Sequence, residues 1–68
     1  MGFSISSDKV ISVLKRHGFT LKSIKGSHHK YEKGDRTTVV THPKKDIPRG
    51  TLDSIIDRSG LSLEDFKK

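Results

Sequence analysis

Apolar and polar positions are distributed along the chain in a pattern that predicts amphipathic helices on either side of a set of short strands. Near the N-terminus, apolar residues recur at the three- and four-residue spacing of a helix, at Val10, Ile11, Val13 and Leu14. Ser7 precedes this run as the expected N-cap, and Gly18 follows it as the expected stop. The pattern predicts a first helix over about residues 7–17, after a loose lead of residues 1–6.

Three short stretches of alternating character follow, and they are rich in β-branched and aromatic residues. Their sequences are FTLKSIK, HHKYEK and RTTVVTH. The stretches are separated by GS and by KGDR, whose glycine and aspartate are typical of tight reversals. The alternation therefore predicts three antiparallel strands in a meander.

The C-terminal third of the chain returns to helical spacing. The segment PKKDIPRG contains two prolines, which interrupt regular structure. After it, a second helix is predicted over about residues 50–58, ended by Gly60, with an apolar face formed by Leu52, Ile55 and Ile56. Ser62 and Asp65 then form a variant of the capping box, which predicts a short terminal helix.

This order of elements predicts an α+β fold. Two helices on one face of a three-stranded antiparallel sheet form a two-layer sandwich, in which each apolar stripe finds a partner and the other face of the sheet stays open. No linker or repeat divides the sequence, so residues 1–68 are predicted to be a single domain. A chain of this length has a small core, and we do not expect a deep enclosed active site.

Charge and cysteine content narrow the function classes. Fourteen Lys and Arg residues against eight Asp and Glu give a formal net charge of +6, so anions, and nucleic acid first among them, are the expected partners. The absence of cysteine excludes a disulfide framework and a thiolate metal site, and it fits the reducing cytosol. Polar residues interrupt every apolar run, which predicts a soluble, cytoplasmic protein without a membrane partner.

The strand stretch KGSHHKYEKG places two adjacent histidines on opposite faces of the sheet. Tyr31 is its only large apolar side chain and is assigned to the helix-covered face, which turns His28 and Lys30 outward. An exposed imidazole takes up and releases protons near neutral pH without a cofactor, and RNA carries its own nucleophile in the 2′-hydroxyl. Cations available to stabilise charge on a phosphate are Lys25, Lys30, Lys44, Lys45 and Arg49.

The histidine spacing does not predict a metal site. His28 and His29 point to opposite faces, while His17 and His42 lie at the ends of other elements. No cofactor is therefore predicted.

Four blocks of the sequence resemble a known family. They are VLKRHGF, KGSHHKY, VVTHPKKDIPRGTLDSII and SGLSLEDF, and in order and separation they are similar to those of the HicA toxins, also described as YcfA-like. These are small ribonucleases encoded beside HicB antitoxins. The resemblance, which covers nearly the whole chain, implies a double-stranded RNA-binding-domain-like α-β-β-β-α fold.

The resemblance also implies a site and a partner. The catalytic histidine of the GSH motif corresponds to His28, and the motif glycine to Gly26. The implied activity is metal-independent cleavage of messenger RNA. The resemblance also implies that a HicB-type antitoxin inhibits the toxin by covering the histidine.

Several residues keep two interpretations. Gly26 either forms a turn or lets an RNA backbone approach closely, and Ser27 either donates to a phosphate or caps the strand. Lys44, Lys45 and Arg49 either hold a phosphate beside the second helix or belong to a solvated loop. His42 is interpreted as shaping the loop before Pro43, with a second catalytic acid as the alternative.

The whole chain also keeps rival interpretations. One is a non-catalytic double-stranded RNA-binding module, and another is an interaction protein for an acidic partner.

Overall fold

The computed structural model describes residues 4–67 and contains six elements in the predicted order. They are α1 (Ser7–Arg16), β1 (Thr20–Lys25), β2 (His28–Lys33), β3 (Arg36–Thr41), α2 (Arg49–Ser59) and α3 (Leu63–Lys67). The strands form one antiparallel sheet in the order β1-β2-β3, and the helices pack on one face of it. The α+β prediction is thus confirmed. Residues 1–3 of the predicted lead lie outside the described residues.

The N-cap of α1 lies one residue earlier in the sequence than predicted. Ser6, with extended backbone, is the N-cap, and its hydroxyl accepts a hydrogen bond of 3.3 Å from the Lys9 amide. The prediction that Ser7 is the cap is wrong, because the hydroxyl of Ser7 is engaged with His42 and the Lys44 amide instead. The helix ends at Arg16, and Gly18 takes the left-handed conformation with φ of 93°.

Both hairpins turn through two residues with glycine in the first place. Gly26 and Gly34 have φ of 61° and 60°, whereas Ser27 and Asp35, which follow them, have negative φ. Positive φ at the first turn position alone is the pattern of a type II′ turn, whose twist matches that of the flanking strands. The two predicted reversals are confirmed, and each requires glycine for a backbone reason.

The core lies between the helices and the half of the sheet formed by β2 and β3. Tyr31, Thr38 and Val40 supply the buried side chains of the sheet, and α3 closes the core with Phe66. The helices contribute Val10, Val13, Leu14, Leu52 and Ile55, each at most 1% exposed. Burial of one such side chain contributes about 1.5–3 kcal/mol, so these few contacts dominate the stability of so small a domain.

The strand β1 stays outside this core. All six of its residues are exposed, including Leu21 and Ile24, and the register shifts between Leu21 and Ser23. Within residues 4–67, no helix is both long enough and apolar enough to cross a membrane.

Candidate functional site

His28 lies at the start of β2, on the face of the sheet that the helices leave open. The turn at Gly26 and Ser27 delivers the chain to this position, and strand pairing sets His28 between Lys25 of β1 and Thr41 of β3. The side chain is exposed, and it forms no hydrogen bond or ion pair with another residue of the described part of the chain. The imidazole is therefore open to a ligand from solvent.

Two lysines share the open face with His28. Lys25 is its direct partner on β1, and Lys30 lies two residues farther along β2, on the same side. Neither lysine forms an ion pair within residues 4–67, in contrast to Lys22, whose Nζ lies 3.2 Å from an Oε of Glu32. Unneutralised ammonium groups beside an exposed imidazole create a positive surface suited to a phosphodiester.

His29 points to the opposite face and packs against His42. The two rings meet edge to face, with centroids 5.0 Å apart and planes at 78°. His29 is half-buried, whereas the neighbouring His28 is exposed. The alternation of the strand thus gives two adjacent histidines different surroundings.

His42 is held by the start of α1. Its Nδ1 lies 2.7 Å from Ser7 Oγ and 3.7 Å from an Oδ of Asp8. Ser7 Oγ also accepts a hydrogen bond of 2.9 Å from the Lys44 amide. These contacts make His42 a structural anchor of the loop that follows β3.

The loop of residues 42–48 is attached at both ends of its course. Near its start, the His42 amide donates to the Ser27 carbonyl over 2.8 Å, which fixes the loop against the turn before His28. Farther along, the Ile47 amide donates to the Ile5 carbonyl, also over 2.8 Å. The segment before α1 therefore fixes the far end of the loop.

The loop cations predicted from the sequence are less uniform than expected. Lys44 and Lys45 are exposed. Arg49, in contrast, is the first residue of α2, and its Nε lies 3.0 Å from an Oδ of Asp53. The N-cap of α2 is Pro48, which supplies no side-chain hydrogen bond to the first turn of the helix. The structure thus groups Lys25, Gly26, Ser27 and Lys30 around His28, while Arg49 is bound within its own helix.

The role of Gly26 in the fold is conformational. Its φ of 61° is strained for residues with a side chain, yet a Cβ placed there would meet no atom within 4 Å. The turn alone explains the glycine.

Titratable groups elsewhere add little to the site. Among residues 4–67, no group of three or more His, Cys, Asp or Glu side chains is arranged to hold a metal ion. Burial raises the pKa of Tyr31 on the helix-covered face. Sequence reasoning assigned Ser7 to the N-cap and missed its role in holding the loop after β3; the only signal was the presence of two adjacent serines, Ser6 and Ser7.

Comparison with known proteins places the chain in one family. The family model described as "HicA toxin of bacterial toxin-antitoxin" matches residues 7–61 of the 68 residues, which includes all three strands, α1 and α2. No curated protein sequence matches the chain. With its α+β fold and its matched region spanning the sheet and both long helices, the chain belongs to the HicA toxin family, and it is the toxin of a bacterial toxin-antitoxin system with a cognate antitoxin as partner.

Proposed function

We propose that this toxin is a metal-independent endoribonuclease that cleaves messenger RNA, with His28 as its general base. One observation carries the proposal. The imidazole of His28 is exposed on the open face of the sheet beside Lys25 and Lys30, whereas the neighbouring His29 is turned toward the helices.

The reaction needs only groups that RNA and this face supply. Neutral His28 accepts the proton of a ribose 2′-hydroxyl, and the 2′-oxygen attacks the adjacent phosphorus. The bond from phosphorus to the 5′-oxygen breaks, which leaves a 2′,3′-cyclic phosphate and a 5′-hydroxyl. The proton held by His28 is returned to the leaving 5′-oxygen. Negative charge that develops on the phosphate is stabilised by Lys25 and Lys30. No cofactor takes part.

The proposed RNA contacts extend from the turn to the loop. The Ser27 hydroxyl donates to a phosphate oxygen, and Gly26 lets the backbone of the RNA pass close to the turn. Lys44, Lys45 and Arg49 attract a second phosphate toward the first turn of α2, where no side chain caps the amides and no acidic residue lies.

Regulation follows from the exposure of His28. A HicB-type antitoxin is proposed to cover the open face, so that substrate and antitoxin compete for one surface. We place the free toxin in the cytoplasm, where messenger RNA is accessible.

The test compares the purified protein with its His28→Ala variant on a defined RNA in excess EDTA. We expect the wild-type protein to cleave, and we expect the variant to be slower by about 100-fold or more, because it lacks the general base. His29→Ala is the matched control. It loses a ring contact on the other face, so it should keep cleavage and lose some stability.

Circular dichroism establishes that all three proteins are folded. The proposal is overturned if folded His28→Ala cleaves at the wild-type rate. If neither protein cleaves and both retain RNA at low salt, the chain acts as a non-catalytic RNA-binding module.

A further inference from the structure

A cavity of 520 Å³ lies between β3 and α2, apart from the turn and loop described above. Its inner wall is formed by Ile55, and the cations Lys30 and Arg58 stand at its sides. The other polar side chains that line it carry hydroxyls and come from Thr37, Thr51 and Ser54. Among residues 4–67, no acidic residue lines this cavity, which therefore favours an anionic or hydroxyl-bearing ligand.

A second cavity of 450 Å³ continues the first. The two share Thr37 and Arg58, and the second adds Arg36 and Asp35 from the β2–β3 hairpin. We call the combined feature the β3–α2 groove, defined by Lys30, Arg36, Thr37, Thr51, Ser54 and Arg58.

The edge of the sheet supplies further donors and acceptors to this groove. β3 is an outer strand, and Lys33 and Arg36 pair beside a two-residue turn. Hydrogen-bonded and non-hydrogen-bonded pairs alternate from such a turn, so Thr37 and Val39 direct their backbone groups away from β2. Both residues line the first cavity.

The charge of the groove is not neutralised from within the protein. Lys30, Arg36 and Arg58 form no ion pair with any of residues 4–67, and Asp35 is the one acidic residue that lines the two cavities. Three cations facing one carboxylate attract a polyanion.

Lys30 joins the groove to the open face. It lies on the same side of β2 as His28, two residues along, and its side chain also lines the first cavity. A strand of RNA that ran from His28 across β3 would pass Lys30 and reach the groove.

We propose that the β3–α2 groove is a second RNA subsite, which binds phosphodiester and ribose groups of nucleotides flanking the cleaved bond. Arg36 and Arg58 bind phosphate oxygens, and the hydroxyls of Thr51 and Ser54 bind ribose oxygens. The inference rests on the proposed function for the identity of the substrate. Its geometry is independent of any role of His28 in catalysis.

The experiment measures binding of single-stranded RNA to the His28→Ala protein by fluorescence anisotropy. One RNA just spans the cleaved step, and a longer RNA of related sequence extends from it in both directions. The longer RNA should bind more tightly. Arg58→Gln should lower the affinity for the longer RNA by about tenfold and leave the affinity for the short RNA unchanged, because only the longer RNA reaches the groove. The slope of log affinity against log salt should fall by about 0.7 for the lost phosphate contact.

Arg16→Gln is the control for net charge. Arg16 is an exposed cation in the last turn of α1 that lines neither cavity, so its loss should affect both RNAs slightly and equally. The proposal is overturned if Arg16→Gln and Arg58→Gln weaken binding of the longer RNA to the same extent, or if the two RNAs bind with equal affinity. It is also overturned if Arg58→Gln weakens binding of the antitoxin and leaves RNA binding unchanged, since the groove then binds protein.

A gel of each binding mixture separates the two proposals. If the His28→Ala protein produces cleavage products, the catalytic role of His28 fails. The proposal that the groove binds RNA is then tested by the same length comparison, on RNA that carries a 2′-deoxyribose at the cleavable step.

Discussion

Thr38 carries a buried hydroxyl whose oxygen has no hydrogen-bond partner among residues 4–67. The residue lies in β3 opposite Tyr31 and is 1% exposed. A buried hydroxyl without a partner costs about 1–3 kcal/mol, while valine has nearly the same shape and suits a strand. We predict that Thr38→Val raises the free energy of unfolding by about 1 kcal/mol, measured by urea denaturation.

The adjacent residue provides the control for this prediction. Thr37 is half-buried and points to the other face, so Thr37→Val should change stability by at most about 0.5 kcal/mol. Destabilisation by Thr38→Val would mean that its hydroxyl is satisfied in solution.

Single residues also show how far the sequence determines the site. One buried tyrosine and the two-residue period of a strand are sufficient to turn His28 outward and His29 inward. The same local reasoning fails at Ser6 and Ser7, because both are good N-caps. The choice between them is made by His42, which lies 35 residues from Ser7 in sequence.

Among the elements, the loop of residues 42–48 depends most on distant contacts. Ser7 binds it through His42 and through the Lys44 amide, and the Ser7 amide donates back to the Lys44 carbonyl over 2.8 Å. We predict that Ser7→Ala lowers the free energy of unfolding by about 1–3 kcal/mol, because two groups lose their partner. In this variant, hydrogen exchange at the Lys44 amide should speed up relative to exchange in the sheet.

Ser12→Ala is the matched control, because Ser12 is exposed on the same helix. Alanine is the better helix former, so this change should be neutral or slightly stabilising. If both variants have the same stability and the Lys44 amide exchanges no faster, the loop is held by other contacts.

The elements themselves follow from the sequence far better than the site does. Helix spacing, alternation and the glycines of the turns are local properties, and they predict every element to within about two residues. The β3–α2 groove is different. Arg58 and Lys30 belong to elements whose patterns say nothing about each other, and only the packing of α2 beside β3 brings them to one cavity.

For the molecule as a whole, stability at high pH depends on the buried phenol of Tyr31. Burial raises its pKa, so the folded protein keeps a proton that the unfolded chain releases. The contribution of Tyr31 is complete below about pH 10 and is lost as the pH rises through the pKa of the folded state.

Tyr31→Phe tests this contribution, because it removes the titration of the phenol and keeps the aromatic ring in the core. We predict that the wild-type protein loses stability relative to the variant as the pH rises above about 10, measured by urea denaturation at each pH. Tyr31 is the only tyrosine and the chain has no tryptophan, so tyrosinate absorbance reports this one ring. Its midpoint should lie higher in the folded protein than in urea. Equal midpoints, or a stability difference that does not change with pH, would show that solvent reaches the phenol in the folded state.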